Sequence, residues 1–215
     1  MLRSLSRYSG VAAVVTVWTT LLAATAVSGF DLLGPDPLSY LGTVPPSAAL
    51  FTIGLAATAL LLTVFHGYVR RHHPVSPGFS LIMLAGLAGQ MVAAFVPIGG
   101  DPTAHRIHAW CALVLGASLP LLMWRFAAAQ PPGPFRLLAR RLFWAEVAAC
   151  AIGLTLSAWR IAPLAEILPA AVFHVWVLAV TFASPRHEAI DRPAPALPEA
   201  AAPTPDADRT PAGRR

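Results

Sequence analysis

The chain has 215 residues, 56% of them hydrophobic and only 12% charged, with a mean hydropathy of +0.64. Soluble domains carry about 25% charged residues, so this composition excludes a single soluble core and asks for a membrane as solvent. The net charge of +5 comes from fifteen arginines, no lysine and ten acids. Basic residues flanking membrane spans give that sum without any nucleic acid partner. Cys111 and Cys150 both lie in apolar runs without a CxxC, and each reads as a small hydrophobe.

A spanning helix needs about 20 mostly apolar residues. The first such run follows Arg3 and Arg7 and predicts a helix over about 10–29. Ala26 and Ser28 would suit a signal-peptide cleavage site. The apolar stretch Val11–Val27 is 17 residues long, however, beyond the 7–15 of a cleaved signal, and points to a retained helix. Pro45-Pro46 introduces the second helix, about 47–69, which Arg70-Arg71-His72-His73-Pro74 ends. The third covers 78–97 and breaks at Pro97-Ile98-Gly99-Gly100. Asp101-Pro102-Thr103 is a helix start, because Asp accepts from orphan N–H groups and Pro suits the first turn. The fourth helix runs from there over 103–125, ahead of Gln130-Pro131-Pro132-Gly133-Pro134. The fifth covers 137–159 with Glu146 inside it, and after a turn at Arg160 the sixth covers 164–183.

The arginines give the orientation through the positive-inside rule. With a cytoplasmic N-terminus, Arg3, Arg7, Arg70, Arg71, Arg125, Arg136, Arg140, Arg141 and five tail arginines lie inside. Only Arg106 and Arg160 lie outside, a split of 13 to 2, or 8 to 2 without the tail. The expected fold is all-α: a polytopic bundle of six transmembrane helices over 1–184, multi-pass in the cell membrane, with both termini cytoplasmic. Residues 185–215 hold seven Pro and eight Ala and are expected to form a disordered cytoplasmic tail.

Polar groups inside spans are costly and point to function. At 1.5 Å per residue, His66 and Glu146 both lie about 6–8 Å inside the cytoplasmic boundary. That matched depth permits a contact between helices two and five. Outward snorkelling of Glu146 toward interfacial arginines is the simpler reading. His174, mid-membrane in helix six, and Gln90, in the outer half of helix three, each suit an interhelical hydrogen bond. A bis-His haem needs two imidazoles at one depth. His66 is near the inner face, His174 central, and His105 and His108 near the outer face, so no cofactor is expected.

The densest polar group is on the outer side. Asp31, Asp36, Ser39 and Tyr40 stand in the first loop, and Asp101, His105, Arg106 and His108 open helix four. Arg160 and Glu166 flank the third outer turn. His105 and His108 are three apart and share one helix face. With Asp36, Ser39 and Asp101 they make a candidate ligand-binding set, expected to converge at the outer mouth between helices two and four. Imidazoles beside carboxylates also sketch a metal site, although HxxH alone is a weak signal.

These residues bring a family into view. Asp36-Pro37-Leu38-Ser39-Tyr40-Leu41-Gly42 resembles the Ser-Asp-Leu-Gly-like signature that opens the second span of "domain of unknown function 998" proteins. Val96-Pro97, followed by Asp101 and a histidine at the start of helix four (His105 or His108), resembles that family's second signature. The resemblance covers roughly residues 8–184 and departs at Tyr40, where the pattern has Asp. It implies the six-helix plan and a polar outer face, and no activity.

Two function classes follow. In the first, a multi-pass membrane protein binds a lipid headgroup or small solute in its outer polar pocket. Its partners are then the bilayer and that ligand. In the second, Asp101, His105 and His108 hold a metal for a membrane-embedded hydrolase, with a carboxylate activating bound water. A transporter usually shows broken helices or inverted repeats, and the sequence displays neither.

Overall fold

In a computed structural model the chain is all-helical across the described residues, 2–99 and 101–183. Gly100 and the expected tail at 185–215 lie outside them. The long helices are α1 Leu2–Ser28, α2 Ser47–His72, α3 Pro77–Phe95, α4 Pro102–Ala129, α5 Pro134–Ala158 and α6 Pro163–Phe182. A short 3-10 helix, Leu38–Gly42, lies between α1 and α2.

Prolines and a cap set the ends of these helices. α3, α4, α5 and α6 each open with Pro in the first turn, where a missing N–H leaves no bond unmade. Asp101 caps α4: its Oδ1 accepts from the Thr103 N–H at 3.0 Å and its Oδ2 from the Ala104 N–H at 3.1 Å. Charge does not end a helix. α1, α2, α4 and α5 run on through Arg7, Arg70, Arg125 and Arg136, past the bounds that hydropathy suggests. Arginine is a good helix former that leaves the hydrocarbon by its long stem, so the apolar run stops before the helix does.

Each helix packs on its neighbours in the chain, and α6 returns to α1, closing a ring in sequence order. The tightest pairs depend on glycine. A Cβ on Gly89 of α3 would meet the Cys111 carbonyl oxygen of α4 at 2.7 Å, and one on Gly153 of α5 the Ala165 Cα of α6 at 2.8 Å. Small residues let membrane helices approach this closely. At the closing seam the Arg7 Nε–H donates to the Thr181 carbonyl at 3.0 Å, and the Tyr8 and Phe182 rings stand 6.5 Å apart. Gln90 makes the interhelical bond its position suggests, donating to the Leu55 carbonyl of α2 at 2.9 Å.

Five helices, α1, α2, α3, α4 and α6, are long and apolar enough to cross a membrane. This is a multi-pass membrane protein. The sixth, α5, has 25 residues and carries three arginines, Arg136, Arg140 and Arg141, near its start.

Packing differs between the two ends of the ring. Near the arginine-rich end, Phe65, Phe79, Phe126 and Trp176 form a solid aromatic centre. Phe126 meets Trp176 edge-on at 5.2 Å and 89°, a favoured geometry for aromatic pairs. At the arginine-poor end a smaller cluster, Ala24, Leu38, Leu41 and Phe51, lies where the 3-10 helix folds over α2. Between them the packing opens. Along α4 only His108 is fully buried before Ser118, and along α5 only Gly153 after Ala149.

The contact that matched depth permits between His66 and Glu146 is not among the hydrogen bonds of the described residues. The His66 Nε2 pairs with Ser80 Oγ of α3 at 3.0 Å. Glu146 does not snorkel either: it is 0% exposed, accepts from the Cys150 thiol at 3.8 Å, and its Oε2 has no partner among the described residues. Ring order explains this, since α2 and α5 are not neighbours in the circle.

Candidate functional site

The site begins where α3 stops. Pro97 prevents α3 from continuing, so the Val96 and Ile98 carbonyls need partners from outside the helix. The His108 Nδ1 bonds the Val96 carbonyl at 2.6 Å, and the His105 Nδ1 bonds the Ile98 carbonyl at 3.0 Å. A carbonyl only accepts, so Nδ1 carries the hydrogen in both rings and Nε2 of a neutral ring is left as an acceptor. The HxxH spacing therefore staples the α3–α4 turn.

The five residues singled out by sequence do not gather as one set. Asp101 is committed to the α4 cap and His105 to the turn. Asp36 is exposed in its loop and makes no hydrogen bond among the described residues. Among the described residues no three His, Cys, Asp or Glu side chains stand together to hold a metal ion. The hydrolase reading needs three such ligands, and the structure supplies no set.

Ser39 and His108 share a cavity. They line a cavity of ≈ 150 Å³ together with Glu166 and His174 of α6. A larger cavity of ≈ 520 Å³ shares Glu166 and His174 and extends along α3, α4, α5 and α6. Its wall is mostly aliphatic. Leu113 of α4 and Leu154 of α5 both line it and are both exposed, so it opens sideways between the two helices.

Glu166 stands in the first turn of α6. The backbone N–H groups of Leu38 and Ser39 donate to its carboxylate, where the 3-10 helix begins and Pro37 offers no side-chain cap. Ring closure brings these elements together. Protein atoms crowd round Glu166, yet its surface is open, because that surface faces the two cavities. No arginine or histidine forms an ion pair with it among the described residues. His174 is buried, its ring edge-on to Trp18 at 5.8 Å, and its Nδ1 has no hydrogen-bond partner among the described residues.

Two prolines interrupt the helices that border the large cavity. Pro120 and Pro169 sit inside α4 and α6. Each removes the N–H that would bond the carbonyl four residues earlier. Those carbonyls belong to Gly116 and Ala165, and both residues line the large cavity.

A family described as "Protein of unknown function (DUF998)" matches residues 10–183, from α1 to the end of α6. The chain belongs to DUF998. No curated protein and no solved structure matches it. In this DUF998 chain the segment Asp36–Gly42 brings Ser39 to the smaller cavity, while Tyr40 is exposed. Val96-Pro97 supplies the carbonyl that orients His108. Sequence reasoning noted Glu166 and His174 without joining them to this DUF998 site. The available signal was an acid in the first turn of a very apolar helix, with a histidine two turns further along.

Proposed function

We propose that this DUF998 protein spans the cell membrane six times, its arginine-poor end outward, and holds an amphiphile drawn from the outer leaflet between α4 and α5. The chain of the ligand lies in the large cavity and its head lies at Ser39, His108, Glu166 and His174.

The observation that carries this is the volume. At roughly 24 cal/mol per Å³ of void, an empty cavity of ≈ 520 Å³ would cost on the order of 12 kcal/mol. That equals the whole stability of a typical domain, about 5–15 kcal/mol. Water does not fill an apolar wall. Hydrocarbon does, and the opening beside Leu113 and Leu154 faces it.

Tryptophans support α5 as the sixth span. Exposed Trp110 and Trp124 are fourteen residues apart on α4, and exposed Trp144 and Trp159 fifteen apart along α5 and its C-terminal turn. At 1.5 Å per residue these are about 21 and 22 Å, matched as two interfacial belts would be.

Gly116 provides the test. A Cβ there meets nothing within 4 Å, so Gly116→Phe fills the cavity without a clash at its root. Protein extracted in native membrane patches and analysed by native mass spectrometry should carry about one retained lipid per chain. Gly116→Phe should lose it while remaining folded. Equal lipid occupancy in a folded Gly116→Phe protein would remove the proposal.

A further inference from the structure

We infer that the amphiphile carries a primary ammonium head. This rests on the cavity reading above and adds the chemistry of the head.

The smaller cavity is lined by one carboxyl group and no arginine. The Glu166 carboxyl takes two backbone N–H groups and has no cationic side chain as partner among the described residues. His108 spends its Nδ1–H on the Val96 carbonyl, which leaves Nε2 as an acceptor on a ring lining the cavity. Donors are scarce. The Gln90 amide is engaged with the Leu55 carbonyl at 2.9 Å, and the Cys150 thiol with Glu146 at 3.8 Å. The Ser39 hydroxyl lines the cavity and makes no hydrogen bond among the described residues.

A ligand head that fits must therefore bring positive charge and several hydrogens. An ammonium group has both, with three N–H donors and one unit of charge. A quaternary ammonium has the charge and no N–H. An anionic head meets the Glu166 carboxylate with the same sign and finds no arginine to pair with. The lateral opening and aliphatic wall then require a chain behind the ammonium. The large cavity follows α4 from Ala112 to Leu122, ten residues or about 15 Å, the reach of a medium-length alkyl chain.

The test uses the full chain in discs of zwitterionic lipid, with empty discs as the partition reference. Four probes are compared: dodecylamine, dodecyltrimethylammonium, dodecanol and butylamine. Charge-assisted hydrogen bonds to one carboxylate should favour dodecylamine over the second and third probes by about tenfold or more. Glu166→Gln keeps an acceptor for Leu38 and Ser39 but removes the charge, and should bring the three long-chain probes to within about twofold. If all three bind wild type alike and Gly116→Phe blocks them, the ammonium assignment is wrong while the cavity reading stands. If none binds, or Gly116→Phe changes nothing, the cavity reading itself fails. Butylamine as strong as dodecylamine would make the ligand a soluble amine and overturn the amphiphile.

Discussion

Asp101, His105 and His108 look like chemistry in the sequence and mainly build a corner in the structure. The cap was legible, because Asp before Pro is a local signal that needs no tertiary contact. The partners of the histidines were not, since the Val96 and Ile98 carbonyls become available only once Pro97 has stopped α3. Glu166 was illegible for a stronger reason: its donors, Leu38 and Ser39, lie more than a hundred residues earlier in the chain. Two substitutions separate structure from site. Asp101→Ala removes only the cap and should lower unfolding stability by about 1 kcal/mol, with lipid occupancy by native mass spectrometry unchanged. His108→Ala leaves the Val96 carbonyl unpaired, a loss of about 1–3 kcal/mol, and should also reduce occupancy. A larger fall in occupancy for Asp101→Ala than for His108→Ala would reverse these roles.

At the scale of elements, long apolar runs made six helices visible, and the structure departs from them at the helix edges. The 3-10 helix Leu38–Gly42 is five residues long, too short to carry a periodic signal. Side of insertion and span number can be tested with three cysteines in a Cys111→Ala, Cys150→Ala background. Gly99→Cys and Arg160→Cys should react with an impermeant reagent added outside intact cells, and Pro132→Cys should not. Reactivity only at Pro132→Cys would invert the orientation. Reactivity at Gly99→Cys with protection at Arg160→Cys would mean that α5 does not cross.

At the scale of the whole molecule, the bundle is packed at both ends, most densely at the arginine-rich one, and hollow between them. The hollow was not legible, because it is made by what small residues leave out. Gly116, Ala112, Ala165 and Ala170 read in sequence as ordinary helix formers and become a cavity only when α6 closes against α1. The ring order also has a consequence for assembly. A nascent chain threading into the bilayer in this order finds each new helix's partner already inserted, so contacts accumulate locally, as in fast-folding topologies. The last joint, where Arg7 meets Thr181, links the first helix to the sixth. That joint is a seam in space with no counterpart in connectivity, so the break in the chain can be moved. A circular permutant opened between Ala129 and Pro134, with a Gly/Ser linker joining residue 183 to residue 2, should insert and unfold within a few degrees of the parent. Failure to insert would show that the order of synthesis, and not the finished circle of contacts, selects the native bundle.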